Sequence, residues 1–236
     1  MTGAQGARVT GGPVLAFDTA TTMAVVAVGD PGGRLLGESS WTAGYRHGEE
    51  LLARVDGLLA ELGVGLGDLA AIVVGTGPGA FTGLRVGLAT AKGLAHALRV
   101  PIVGVATSTA LLRAAAGGAV GALPAPGLAL LLPAGPSDRV FVADGAPILL
   151  PGGTEPELAP GTSLVAVDLA GRAPADAVER GERARAGLGA ALVRIGAERL
   201  SAGLADDLAR LVPEYVTLPR GIRAETGTME WSRDPR

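Results

Sequence analysis

A glycine-rich loop between an apolar strand and a helix is the feature that most constrains this fold. The apolar residues at 72–74 predict a buried strand, and the loop follows at 75–83. Leucines at helical spacing then predict a helix over 81–98, and 101–105 predicts another strand. A strand, a tight loop, a helix and a strand in this order are typical of an α/β lobe.

The residues before this unit complete the same lobe. Short apolar runs at 13–18, 23–28 and 34–41 predict an antiparallel β-meander, with a glycine-rich turn before the third run. A helix is predicted over 47–62, because its leucines and valine make one apolar stripe. These elements together predict an N-terminal lobe over 13–105.

The composition changes after Thr107, and residues 114–126 are rich in alanine, glycine and proline. A smaller C-terminal lobe is predicted over 106–216, and its Asp206-Asp207 pair is expected to be solvated on a polar helix. Residues 1–12 and 217–236 are predicted to be flexible tails. The elements predicted in the second lobe are strands at 128–132, 139–143 and 163–167, a helix at 186–200 and a short helix before Pro213.

Composition excludes several kinds of site. The 236 residues contain no cysteine, which excludes disulfides, thiolate metal sites and a cysteine nucleophile, and fits a reducing cytoplasm. The formal net charge is -3, so strong RNA binding by this chain alone is disfavoured. No apolar run approaches the roughly 20 residues of a membrane span. We therefore expect a cytoplasmic protein without a membrane partner.

The turn at Asp18-Thr-Ala-Thr-Thr22 is the first candidate site. A carboxylate followed by hydroxylated residues on a tight hairpin can bind Mg²⁺ and cradle phosphates with backbone amides. A β-turn whose threonine hydroxyls satisfy the local backbone explains the same residues. Asp18, Thr21 and Thr22 are the cofactor-binding candidates on the first interpretation.

The glycine-rich loop is the second candidate. It lacks the Lys-Ser/Thr pair of a P-loop, and no acidic residue closes the following strand as a dinucleotide site requires. A tight turn that packs strand against helix explains it best, with a phosphate at the helix N-terminus as the alternative. The two histidines, His47 and His96, are too far apart for a helical two-histidine metal site.

Four blocks of the sequence together resemble the bacterial TsaB (YeaZ) family, and the resemblance runs from about residue 13 to 113. It implies an α/β, actin-like/Hsp70-like (ASKHA, ribonuclease H-like) two-lobe fold with a reduced second lobe. Ala80 stands where the family usually has serine. The blocks are Asp18-Thr19, Arg46-His47-x-Glu49-x-Leu51-Leu52, the run from Gly77 to Ala95, and Pro101 to Val105.

The resemblance also implies a function. Members support formation of N6-threonylcarbamoyladenosine at position 37 of tRNAs that read ANN codons, as non-catalytic partners of the paralogue TsaD. The ATPase TsaE joins the pair, tRNA is reached through the complex, and the chain forms a homodimer when alone. Thr107 and Leu111 stand where TsaD has its two metal-binding histidines, and neither is a good metal ligand. The resemblance therefore implies no catalytic residue, no metal and no intrinsic cofactor, and leaves ATP or ADP open at the partner interface.

The two predicted helices of the first lobe are the expected partner interface, unless both apolar stripes face the lobe's own sheet. Two other functions stay open: an ATP-binding phosphotransferase or ATPase that uses Asp18 for Mg²⁺, and a glycopeptidase-like metalloenzyme. The expected interface residues are Leu51, Leu52, Val55, Leu58, Leu59, Leu84, Gly87, Leu88, Ala91 and Ala95.

Overall fold

A five-stranded mixed sheet forms the first half of the molecule. The computed structural model describes residues 11–42, 47–117, 127–143 and 146–216. The tail predicted over 217–236 and the first ten residues of the tail predicted over 1–12 therefore lie outside the described residues. The strand order is β3-β2-β1-β4-β5, with β2 antiparallel to its neighbours and β4 and β5 parallel to β1. The predicted meander and the two later strands are confirmed. The strands are β1 (Val14–Asp18), β2 (Met23–Gly29), β3 (Leu35–Thr42), β4 (Ala71–Gly75) and β5 (Ile102–Val105).

Two helices, α1 (His47–Glu61) and α2 (Phe81–Leu98), cover one face of this sheet. Successive side chains of a strand point to opposite faces. Leu15 and Phe17 of β1 therefore pack toward α1 and α2, while Val14 and Ala16 line the other face. None of the helices in the described ranges combines the length and apolar character that crossing a bilayer requires.

A second sheet of four strands lies beyond the first, in the order β8-β7-β6-β9. Its helix α4 (Ala175–Ala186) packs on β9 through small residues, and the sequence pattern did not predict it because it has no apolar stripe. β8 was also missed, since three residues give no periodicity. The strands are β6 (Leu128–Pro133), β7 (Arg139–Val142), β8 (Ile148–Leu150) and β9 (Ser163–Ala166).

Helices α3 (Thr107–Ala115) and α5 (Leu188–Ser201) fill the space between the two sheets. α5 packs across β1 and β2 of the first sheet, although it lies in the stretch predicted as the second lobe. Gly196 of α5 touches Val73, and a side chain there would collide with it. The stretch 106–216 thus divides its packing between both sheets, and the predicted boundary at 105/106 stays a prediction.

The segment after α5 returns to the first sheet. It contains turns and an isolated bridge from Asp206 to Ile102, so the short helix predicted before Pro213 is wrong. The Asp206 carboxylate accepts a hydrogen bond from the Gly104 amide at 2.7 Å and one from Arg199. β5 is an edge strand, and Asp206 satisfies a backbone donor that no neighbouring strand covers. The expectation of a solvated Asp206-Asp207 pair on a helix is therefore wrong for Asp206.

Candidate functional site

Loops from both halves of the molecule meet at one end of the first sheet. β1, β4 and β5 are mutually parallel, so their carboxyl ends lie at the same edge. In open α/β sheets ligands bind at that edge. The junction contains the turn 18–22 after β1, the glycine-rich loop after β4, Thr107 after β5, and Asp168 from the second sheet.

Asp18 lies at the centre of this junction and is completely buried. One carboxylate oxygen accepts a hydrogen bond from the Ala20 amide at 2.7 Å, and the other accepts one from the Thr107 hydroxyl at 2.6 Å. Burial raises the pKa of Asp18, and these two hydrogen bonds oppose the rise. The carboxylate is engaged within the chain and is not presented to a ligand. This burial disfavours Asp18 as a ligand of Mg²⁺, and that role stays a prediction.

The glycine-rich loop closes over Asp18. Gly75 has no room for a side chain, since a Cβ there would overlap the Asp18 carboxylate. Gly77 has φ +104°, which favours glycine, and its amide donates to the Thr107 hydroxyl at 3.0 Å. The Ala80 amide donates to the Ala20 carbonyl at 2.7 Å. The loop therefore joins strand, helix and the Asp18 turn by direct contact.

The two threonines of the turn have different surroundings. Thr21 is buried and donates its hydroxyl to the Met23 carbonyl at 2.7 Å, which satisfies local backbone. Thr22 is exposed, and its amide and hydroxyl donate to the two oxygens of Asp168 at 2.7 and 2.6 Å. The donors that could cradle a phosphate are thus held by a carboxylate of the chain itself. Sequence reasoning missed Asp168 as their partner, because 146 residues separate the two positions.

Thr107 and Leu111, the two positions compared above with metal-binding histidines, both lie in the protein interior. Thr107 is buried and bonded to Asp18 and Gly77, and Leu111 lies in the core between the sheets. His96 is exposed on α2. Within the part of the chain that the structure describes, no three His, Asp or Glu side chains are grouped so that they could hold a metal ion.

The expected interface residues are mostly interior. Only Leu52 is exposed, at 51% of its surface, and the other nine lie in the core on the sheet side of α1 and α2. The physical reason is that each helix has one apolar stripe, and this stripe packs against the sheet. Those nine residues are therefore corrected to core residues, and the docking face itself stays a prediction. The nine are Leu51, Val55, Leu58, Leu59, Leu84, Gly87, Leu88, Ala91 and Ala95.

Residues 42–169, more than half of the chain, match the family model for TsaD, the tRNA N6-adenosine threonylcarbamoyltransferase. The tRNA threonylcarbamoyladenosine biosynthesis protein TsaB from Haemophilus influenzae is 36% identical over 102 residues, which are 43% of this chain and 42% of that protein. The chain belongs to the TsaD family, and it is similar to that family's TsaB (YeaZ) proteins. The resemblance inferred from the four sequence blocks is thereby confirmed.

The fold agrees with this membership. The structure of YeaZ from Pseudomonas aeruginosa superposes with a TM-score of 0.66 at 25% identity, over 86% of this chain and 99% of that one. The predicted α/β fold class is confirmed. An uncharacterized protein of Mycobacterium tuberculosis is 43% identical over 101 residues, 42% of this chain and 47% of that protein. The matched part of the chain spans less than half the length of these curated relatives.

The buried Asp18 carboxylate gives a prediction for stability against pH. A carboxyl whose pKa is raised on folding binds its proton more tightly in the folded state, so its contribution to stability falls as pH rises above the usual 3.8. Asparagine at this position does not ionise. We therefore expect the unfolding free energy of Asp18→Asn to rise relative to that of wild type as the pH increases from 4.5 to 7.5. Urea titrations of both proteins across this range measure the difference.

Asp30→Asn is the matched control for this experiment. Hydrogen bonds from the Arg34 amide and guanidinium lower the pKa of Asp30, so that carboxyl titrates below its usual range. The unfolding free energy of Asp30→Asn should differ from that of wild type by a constant amount across the same pH interval. A constant difference for Asp18→Asn as well would show that the Asp18 carboxyl is not desolvated.

Proposed function

We propose that the chain is a non-catalytic scaffold subunit in the formation of N6-threonylcarbamoyladenosine at position 37 of tRNAs that read ANN codons. It acts as a heterodimer with the catalytic paralogue TsaD. The observation that carries this proposal is the closed junction around Asp18 in a chain similar to the TsaB proteins. Its carboxylate is fully buried and hydrogen-bonded to Ala20 and Thr107, and the Thr22 donors are bonded to Asp168.

The proposal extends to the other components of the reaction. The ATPase TsaE joins the pair, tRNA is bound through the complex, and the chain forms a homodimer when TsaD is absent. We assign the chain no cofactor of its own, and we place any bound ATP or ADP at the partner interface. The expected compartment is the cytoplasm, where tRNA modification proteins of bacteria act.

The outward faces of α1 and α2 are the docking surface that we propose for TsaD. The helices lie side by side, and small residues recur every three or four positions on their exposed sides. A Cβ on Gly57 or Gly93 would meet no atom within 4 Å, so the backbone is open to a partner. Leu52 adds exposed apolar area beside them. These small residues are Ala53, Gly57 and Ala60 on α1 and Ala89, Gly93 and Ala97 on α2.

TsaD suits this surface because it belongs to the same family. The matched region 42–169 includes both α1 and α2, so the paralogue is expected to carry an equivalent helix pair. Two such pairs can pack as a four-helix bundle, in which small residues let the helix axes approach closely. The nine buried residues support the helices from beneath and take no direct part in this contact.

Gly93→Glu tests the docking surface. Glutamate is a good helix former and the position is open, so the variant should fold like wild type. Its longer, charged side chain would hold the partner helices apart. We expect the dissociation constant for TsaD, measured by isothermal titration, to rise at least about tenfold, which is about 1.4 kcal/mol.

Ala175→Glu is the control, because it adds the same charge at an exposed position of α4. It should bind TsaD like wild type. Equal affinity for Gly93→Glu and wild type would place the docking surface elsewhere. If wild type gave no heat with TsaD at two well-separated temperatures, the heterodimer itself would be wrong.

Two enzymatic alternatives need groups that the described residues do not offer. A phosphotransferase or ATPase needs a carboxylate accessible to Mg²⁺, and Asp18 is buried and bonded. A glycopeptidase-like metalloenzyme needs metal ligands, which are not grouped among the described residues. ATP hydrolysis by the purified chain without TsaD, abolished by Asp18→Asn, would overturn the non-catalytic assignment.

A further inference from the structure

A cleft of about 310 Å³ lies where the β1–β2 turn of the first sheet meets β9 and α4 of the second. Thr22 stands on one side, and Asp168 and Arg185 on the other. The Asp168 side chain is only 5% exposed, although it lines an open cleft. A carboxylate that is buried to this extent requires hydrogen-bond donors around it.

Three donors surround the Asp168 carboxylate. The Thr22 amide donates to one oxygen at 2.7 Å, and the Thr22 hydroxyl and the Arg185 guanidinium donate to the other at 2.6 and 2.8 Å. A backbone amide, a hydroxyl and a guanidinium are the groups that proteins use to bind small oxyanions. Asp168 is therefore bound as an oxyanion ligand would be.

The backbone of Asp168 supports the same interpretation. Its φ is +59°, a left-handed conformation that costs a residue with a side chain some free energy. Aspartate tolerates this region better than most residues, and glycine tolerates it freely. The conformation aims the side chain across the cleft at a loop 146 residues away. Strain of this kind persists when the contacts it makes possible outweigh it.

We propose that the Thr22 amide and hydroxyl and the Arg185 guanidinium form an anion-binding site, and that the Asp168 carboxylate is its resident ligand. The carboxylate excludes external oxyanions and ties the first sheet to the second. Glu182 lines the same cleft and adds negative charge, which further disfavours a free anion while Asp168 is present. This site lies apart from the helix faces proposed to dock TsaD, so phosphate binding and TsaD binding test the two proposals separately.

Removing the carboxylate should open the site to inorganic phosphate. Asp168→Gly suits the positive φ and leaves the three donors in place. We expect 10 mM phosphate to raise the melting temperature of Asp168→Gly by about 3 °C over chloride at equal ionic strength. Wild type should show no such rise. Arg185→Gln added to Asp168→Gly should abolish the rise, since it removes the only cationic donor of the three.

Asp30→Gly is the matched control. Asp30 also accepts hydrogen bonds from backbone amides and an arginine, but on the exposed β2–β3 turn. Its loss should create no phosphate-dependent rise. The same rise in wild type, or none in folded Asp168→Gly, would overturn the proposal.

A measurement on the wild-type chain keeps the proposal testable if Asp168→Gly does not fold. Thr22 is exposed, so its amide should exchange with solvent rapidly unless Asp168 holds it. We expect hydrogen exchange at the Thr22 amide to be at least about tenfold slower than for an open turn. Unprotected exchange at Thr22 would show that Asp168 does not occupy the donors.

Discussion

Gly181→Ala is expected to lower the free energy of unfolding by about 3 kcal/mol, the upper end for an overpacked core. α4 lies so close to β9 that an alanine Cβ at this position would collide with the carbonyl oxygen of Ala166 and come within 3.1 Å of the Val167 amide nitrogen. Both are backbone atoms in or beside a strand and cannot rotate away, so α4 would have to move off the sheet. Urea denaturation of the variant and wild type measures the loss.

Gly93→Ala is the matched control, since it makes the same change in the middle of another helix. Gly93 is exposed and a Cβ there would meet nothing within 4 Å. Alanine should therefore raise the unfolding free energy by about 0.5–1 kcal/mol through helix propensity alone. The same substitution should therefore lower the unfolding free energy at Gly181 and raise it at Gly93. The cause of this difference is how closely each helix packs on its neighbour. A neutral Gly181→Ala would mean that α4 does not approach β9 so closely.

Local sequence patterns were sufficient for the first sheet and its outer helices. β1, β2, β4 and β5 are apolar runs, β3 is a weaker and more polar one, and α1 and α2 carry leucine stripes. Each of these elements can therefore be predicted from its own residues. α4 is different, because its buried face consists of Ala177, Gly181 and Ala184. Small residues produce no apolar stripe, and the close approach that they allow depends on β9, a distant part of the chain.

The same limit explains what was missed at the candidate sites. A stripe of leucines shows that a helix has an apolar face, but it does not say whether a sheet or a partner covers that face. The outward alanines and glycines carried no signal for the same reason. Asp18 was found because it ends a strand, whereas Asp168 has significance only through its contact with Thr22 on the other sheet.

Thr107→Val is expected to cost about 4 kcal/mol of unfolding free energy, although valine has nearly the shape of threonine. The lost hydroxyl donates to the Asp18 carboxylate at 2.6 Å and accepts from the Gly77 amide at 3.0 Å. Its removal leaves a buried carboxylate oxygen and a buried amide without partners. A hydrogen bond to a charged group is worth about 1.5–3 kcal/mol, and an unsatisfied buried donor costs about 1–3 kcal/mol more. Equilibrium urea unfolding at pH 7.5 measures the total.

Thr107→Ser restores the hydroxyl and should recover most of the loss, which separates hydrogen bonding from shape. Combining Thr107→Val with Asp18→Asn completes a double-mutant cycle, and the two changes should couple strongly because the side chains touch. Additive effects would show that the 2.6 Å contact contributes little to stability. In a scaffold, Asp18 acts through packing, so Thr107→Val should weaken TsaD binding only in proportion to the folded protein lost. A loss of binding by fully folded Thr107→Val would instead place this junction in direct contact with the partner.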